Sequence, residues 1–426
     1  MNGGARASLG DPLELPCGAV LKNRVAKAAM SDSLGDGRGD ATAAQARLYA
    51  RWADGGAGLS IVGEVQVDAR YPEKPGNLVV DAASDAAALG ALAEAGSRAG
   101  CALWAQLGHA GALADPELVT GRGPSALEVG DFRCEALSEE ELAALPERFA
   151  RAAAILKKFG FGGVEIHAGH GFLLSQFLSP LFNRRTDGYG GDVPARARLL
   201  LEVIEAVRRA VGPHFPIGVK LNASDGLEGG LSEDDALVVV ERLDATSVDL
   251  IDISGGTYFP GARSASDTDG GGAGPYFVAF ARRARRRTAI PLMVTGGFRR
   301  EAEAVAALAS GDVDVVGLGR ALAIDPDLPA RWLEGAARGD GAGASDPVFP
   351  RFESPPPGGI TAWYTMRLTA LAESREAEMS GDPAAATLAY ERRDAARRDR
   401  WRARRPRVEP PHPGAGVAPP RAGEHS

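Results

Sequence analysis

The sequence predicts an α/β fold, a TIM (β/α)8 barrel with an N-terminal strand segment and a C-terminal extension. Three observations lead there. Apolar, strand-like runs recur to a count of roughly eight, with segments of helical composition between them. The polar residues that stand out as chemically useful fall where those runs end, which is where barrel enzymes keep their chemistry. A doubly wound sheet would look similar locally, but no GxGxxG follows the first run, so its dinucleotide fingerprint is missing.

A short turn-and-strand segment, LELPCGAVLKNR at 13–24, comes first. The predicted strands follow: VAKAAM from Val25, LSIVG from Leu59, ALWAQL from Ala102 and GVEIH from Gly163, then PIGVKLN from Pro216, VDLIDIS from Val248, IPLMVTGG from Ile290 and VDVVGLG from Val313. The helix from Ser138 opens on a serine cap and an acidic first turn, and it stops at Lys157, Lys158 and a glycine. The helix from Ser232 repeats the logic. Residues 1–337 thus form the barrel, and 338–390 are expected to be helical and packed on the barrel or on a partner subunit. Residues 391–426, Arg-rich and then Pro/Gly-rich, are expected to form a disordered tail.

Hydrophobic residues make up 45% and charged residues 24%, with a net charge of −8, which favours small-molecule chemistry over nucleic-acid binding. No apolar signal core opens the chain and no apolar run is long enough to span a bilayer, so a cytoplasmic protein with no membrane partner is expected. Three widely spaced cysteines, Cys17, Cys101 and Cys134, suit neither a disulfide framework nor an iron–sulfur ligand set.

The richest stretch is EIHAGHGFLLSQFLSPLFNRRTDGYGGD at 165–192, in which His167 and His170 emerge where a strand ends and the chain turns through Gly169 and Gly171. Two imidazoles there suit donation to a substrate oxygen that gains charge. A metal site and a satisfied structural pair are the rival readings, though no third ligand stands at recognisable spacing and no metal is expected. Gln106 closes the third strand, with loop hydrogen bonding as its plainer role. Lys220 is a cation in an apolar run, which calls for an anionic partner or a salt bridge to an acidic neighbour. Gly296 and Gly297 end the seventh strand while Gly319 and Arg320 end the eighth, the loops from which barrels commonly build a phosphate site.

Segment 165–192, together with LKNRVAKAAM near the start, WAQLGHAG at 104–111, MVTGGF at 293–298 and GLGRALAIDPDLP at 317–329, resembles the Old Yellow Enzyme family of FMN-dependent ene-reductases over about 13–335. It is most similar to the bacterial branch related to NADH:flavin oxidoreductases and dienoyl-CoA reductases, without their iron–sulfur domains. The resemblance implies FMN as cofactor and NADH or NADPH as reductant. It implies hydride transfer from the reduced flavin N5 to an activated, carbonyl-conjugated alkene. It places His167 and His170 on the acceptor oxygen, Gln106 on the flavin pyrimidine edge and Lys220 at N1/O2. The backbone of Ala28, Ala29, Met30 and Ser31 would lie under the ring with the Ser31 side chain near O4, and Gly63 would allow close approach. Gly296, Gly297, Gly319 and Arg320 would hold the phosphate. The family also makes a homo-oligomer the expectation, alongside the exposed-looking aromatic segment around Trp363.

Departures from the family matter as much. Phe172 in the substrate pocket stands where the family has a proton-donating tyrosine, so the proton must come from solvent or another side chain, and Tyr258 is a substitute unless it is wall packing. Gly188 replaces an acidic residue, DVPARAR follows Gly191, and Gly111-Ala112-Leu113 replaces a polar loop, while Arg196 is retained as a structural residue. A flavin oxidase, desaturase or isomerase on the same fold is the alternative, as is a non-catalytic flavin-binding module.

Overall fold

Eight parallel strands pair in sequence and the last returns to the first. They are β1 Val25–Ser31, β2 Leu59–Gln66, β3 Ala102–Gly108, β4 Gly163–Ala168, β5 Ile217–Asn222, β6 Leu250–Ser254, β7 Leu292–Thr295 and β8 Val315–Leu318. β8 pairs with β1 through Gly317 and Ala26, and β1 with β2 through Ala26 and Leu59, which closes the barrel. This computed structural model describes residues 7–129, 132–259, 274–338 and 346–404.

The helices that wrap the strands are α1 Ala43–Asp54, α2 Ala86–Gly96, α3 Glu139–Lys158, α4 Val193–Val211, α5 Glu233–Asp244, α6 Val278–Ala284, α7 Glu301–Ala309 and α8 Leu328–Arg338. Local chemistry sets their starts. Ser138 accepts from the Glu141 N–H while Glu141 reaches back to the Ser138 N–H, a full capping box for α3. Ser232 caps α5 through the Asp235 N–H, above three acidic residues that suit the positive end of the helix dipole. Both starts are as the sequence predicts.

The barrel's lower end is filled rather than open. The hairpin of Leu13–Glu14 with Val20–Leu21 packs its leucines against Ala26, Leu59, Ile61, Trp104, Leu250, Met293 and Val315. Trp104 is fully buried there, and a Cβ at Gly163 or Gly218 would sit 2.5 Å or 3.0 Å from its ring. Those two glycines therefore make room for the indole.

Past α8 the chain forms α9 Gly359–Ala372 and α10 Pro383–Arg404. The aromatic segment of α9 is covered by its own chain: Trp363 is buried, packs on Phe352 and donates Nε1–H to the Ser380 carbonyl over 2.9 Å. It is not a free apolar face awaiting a second subunit, so it does not support self-association. α9 joins the barrel through Arg47 Nε to the Ala372 carbonyl and Arg367 Nε to the Ala323 carbonyl.

The expected disordered tail needs correction over 391–404, while 405–426 lies outside the described residues. α10 docks across the loops that follow β1, β2 and β3. Trp401 is buried with Val79 and Leu118, Arg397 donates to the Ser33 carbonyl over 2.6 Å, Arg398 pairs with Asp115 at 2.8 Å, and Arg404 pairs with Asp40. The arginines that suggest a solvated tail in the sequence are instead matched to carbonyls and carboxylates far away along the chain.

Candidate active site

A cavity of about 490 Å³ opens at the C-terminal ends of the strands. Its volume falls in the roughly 300–1,000 Å³ range of cofactor and substrate sites. Nine of the predicted site residues line it: Ala29, Met30, Ser31, His170, Tyr258, Gly296, Gly297, Gly319 and Arg320. Ala28, Gly63, Gln106, His167, Phe172 and Lys220 lie just beneath, in or against the barrel interior.

That interior layer is polar where barrels usually carry branched aliphatics. Gln106 Nε2 donates to Glu165 Oε1 at 2.7 Å, Lys220 Nζ lies 4.0 Å from the same oxygen and is ion-paired to Asp252, and Thr295 Oγ1 donates to Asp252 Oδ1 at 2.7 Å. The network is a direct consequence of register, since Gln106 faces Glu165 across β3 and β4 while Lys220 faces Asp252 across β5 and β6. Burial works against the Lys220 ammonium, yet Asp252 and Glu165 hold its pKa above the ordinary lysine range. Burial, with Asp252 nearby, pushes the Glu165 carboxyl up against the pull of Lys220. The salt bridge to Asp252 supplies the adjacent counter-charge that a buried ammonium needs. Gly63 has a packing reason of its own: a Cβ there would sit 2.9 Å from the Met30 nitrogen.

The two histidines sit above this layer with ring centroids 5.2 Å apart. His167 Nδ1 accepts from the Gly169 N–H at 3.3 Å, which leaves the proton on Nε2, and Nε2 is buried with no partner among the described residues. His170 adopts a φ of 58°, a left-handed conformation uncommon outside glycine, and is held there by its N–H on Asn222 Oδ1 at 2.9 Å. Its Nε2 lies 3.0 Å from Ser254 Oγ. Burial, with Lys220 below, lowers the His170 pKa to about 3, and burial with His170 drives His167 well down. Both rings are neutral hydrogen-bond donors at physiological pH. Phe172 packs on His167 at 4.8 Å, and the exposed Tyr258 ring stands 5.9 Å from both His170 and Phe172.

On the opposite side, Gly296 and Gly297 carry φ values of 132° and 86° that side chains rarely adopt. Arg299 and Arg320 line the same wall, and neither is ion-paired to a carboxylate among the described residues; the Arg320 guanidinium rests over Tyr364. Strand ends that are all backbone, two uncommitted cations and an orphaned imidazole N–H suit a planar ligand carrying a phosphate. The residues present therefore fit FMN. Among the described residues no group of three or more His, Cys, Asp or Glu is placed to hold a metal, and no helix is long and apolar enough to cross a membrane.

Sequence reasoning missed part of the wall. Glu64, Lys74, Tyr276, Thr295 and, from α9, Ile360, Thr361 and Tyr364 all line the cavity. Glu64 carried a signal, a lone charge inside the apolar run of β2. The α9 residues carried none, because only tertiary packing brings them there. Arg196, read as structural, donates to the Leu178 and Gly191 carbonyls and pairs with Asp235 at 2.9 Å.

A closed barrel with a polar interior layer and a cavity floored by neutral histidines defines an enzyme that works on small molecules with a phosphate-bearing cofactor. Comparison with known proteins narrows the class. The family model for the NADH:flavin oxidoreductase / NADH oxidase family matches residues 8–338, so the chain belongs to that family of FMN oxidoreductases, which agrees with the resemblance seen in the sequence. It is 35% identical over 349 residues to the NADH-dependent flavin oxidoreductase iliE of Hypocrea jecorina (strain QM6a), covering 75% of this chain and 87% of that protein. It is also 35% identical to the iliE protein of Neonectria sp. (strain DH2), but spans only 46% of that longer protein. Among solved structures, morphinone reductase superposes with a TM-score of 0.67 at 25% identity, covering 82% of this chain and 93% of that one. The old yellow enzyme homologue from Zymomonas mobilis gives 0.68 at 26% identity, covering 80% and 95%.

Proposed function

We propose that this enzyme takes reducing equivalents from NADH or NADPH and reduces an alkene conjugated to a carbonyl, as a cytoplasmic protein. When bound, FMN supplies two-electron transfer between those partners. The observation that carries the reading is the His167 Nε2–H, a buried donor with no partner among the described residues, beside a second neutral imidazole. A carbonyl oxygen placed there would accept from both rings, and its growing charge would be stabilised by donors already in position. Neutral rings suit the task, since they donate without delivering a proton to the oxygen. Gln106, Glu165 and Lys220 hold a fixed polar layer beneath the ring site, and Ser31 and the Met30 backbone face it from β1. Gly296, Gly297, Arg299 and Arg320 would hold the phosphate, with Tyr276 and Tyr364 lining the same cavity.

Phe172 favours a second reading, an oxidase, desaturase or isomerase, in which a tyrosine donor is not needed. Anaerobic stopped-flow absorbance separates the two. Flavin colour that bleaches with NADH or NADPH and returns on adding cyclohexenone is the expected result; colour restored by oxygen alone would favour the oxidase reading.

A further inference from the structure

We propose that Glu64 is the acid that protonates the alkene carbon, in the role that Phe172 leaves vacant, with Glu73 passing the proton in from solvent. This rests on the alkene reduction proposed above.

Glu64 lies near the C-terminal end of β2 and lines the cavity together with His170, Tyr258, Met30 and Ser31, while remaining only 7% exposed. No other carboxyl group of the described residues lines that cavity. It belongs to a hydrogen-bonded chain. Asn77 Nδ2 donates to Glu64 Oε2 at 3.2 Å and to Glu73 Oε2 at 2.9 Å, and Ser31 Oγ donates to Asn77 Oδ1 at 3.1 Å. Ser31 is the residue that the family resemblance puts beside the flavin, so the chain links that position to the acid. Glu73 and Lys74 are paired at 2.8 Å with side chains 13% and 30% exposed, which gives the chain a wet end.

Two carboxyls sharing one amide partner cannot both be ionised cheaply. Burial, and then the charge of Glu73, raises the Glu64 pKa well above the carboxylate range, against the opposing pull of Lys74. A carboxyl whose pKa is raised holds its proton to higher pH than an ordinary carboxylate, yet gives it up to carbon more readily than a phenol, whose ordinary pKa is about 10.

The step balances. Reduced FMN, when bound, would supply one hydrogen with its electron pair to the carbon β to the carbonyl and would itself be oxidised. The π electrons move toward the carbonyl oxygen, held by His167 and His170. The α carbon then takes the Glu64 proton, the O–H bond breaks, and the carboxylate regains a proton directly from Glu73, with which it shares a side-chain hydrogen bond and which is replenished from water.

The test uses the FMN-loaded full chain, NADH and cyclohexenone in stopped flow. Glu64→Gln should bleach with NADH as wild type does, while return of colour with cyclohexenone slows by about 10²-fold or more, the usual worth of a general acid. Glu64→Asp should keep most of the rate, and adding Phe172→Tyr to Glu64→Gln should restore much of it. Independently of turnover, the infrared spectrum of wild type near pH 7 should contain a protonated-carboxyl band that is absent from Glu64→Gln. An unchanged reoxidation rate in Glu64→Gln, or no such band, overturns the assignment to Glu64 alone. Failure of wild type itself to reoxidise with cyclohexenone overturns the alkene reading and this role with it. If Glu64→Gln does not fold, Glu64→Ala takes its place in both the reoxidation rate and the infrared comparison.

Discussion

Lys220 and Asp252 face each other in register on β5 and β6, the ammonium ion-paired to the carboxylate in a layer without water access. Removing one partner of such a pair leaves the other charge uncompensated. Asp252→Asn is therefore expected to lower stability by about 3 kcal/mol. Lys220→Met combined with Asp252→Leu should recover most of that loss. Urea unfolding of the single and double variants measures both, and a cost under about 1 kcal/mol for Asp252→Asn would mean that Glu165 suffices to hold the lysine.

The unpartnered His167 Nε2–H makes a kinetic prediction. Loss of one such donor typically costs 10²–10³-fold in kcat, so His167→Ala should reduce turnover of cyclohexenone by about that factor. FMN content should remain as in wild type, since the ring meets the acceptor and not the phosphate wall. Absorbance ratios of the purified variant give the second number directly.

Arg320 bears on cofactor retention. A hydrogen bond to a charged group is worth about 1.5–3 kcal/mol, so Arg320→Met should weaken FMN affinity by roughly tenfold to a hundredfold. Flavin fluorescence on dilution reads the change. Riboflavin, which lacks the phosphate, should bind wild type and variant alike, and a variant that lost both equally would speak for collapse of the wall.

The imidazoles also predict a pH dependence of stability. In the unfolded chain each histidine titrates near 6.5, whereas in the fold burial lowers His170 to about 3 and lowers His167 as well. Between those values the unfolded state binds more protons, so stability is complete above about 6.5 and falls as pH drops through that window. The slope is about 1.4 kcal/mol per pH unit for each imidazole. Thermal melts from pH 7.5 to 5 of wild type and His167→Gln should show the shallower decline in the variant.

The last concerns α10. Trp401→Ala is expected to cost about 3 kcal/mol, the usual price of truncating a buried aromatic, and removal of residues after 390 should cost more. A tail without a structural role would leave the melting temperature unchanged.

Much of the barrel is legible in the sequence, and for a definable reason. Strand runs, caps and turn glycines act over a few residues, so VDVVGLG or the Ser138 cap announces itself locally. Nine of the expected site residues reach the cavity because strand ends converge whatever the detail of the packing. What escapes is pairwise and distant. Nothing near Lys220 names Asp252 as its counter-ion, and nothing in ERRDAARRDRWRAR tells that Arg397 will find the Ser33 carbonyl or that Trp401 will find Val79. Charge-rich composition suggested a solvated end; the partners that cancel those charges lie hundreds of positions upstream.

Arg397 and Ser33, joined at 364 positions' separation, tie α10 to the loop that leaves β1, while the neighbouring α9 supplies Tyr364 to the cavity. The two strand ends that begin and finish the barrel are thereby roofed by a single appendage. Substrate range can accordingly drift by changes in α9 alone, with the hydrogen-bonded cylinder beneath left untouched. The molecule separates the cylinder that carries the buried polar layer from the appendage that closes one side of the cavity.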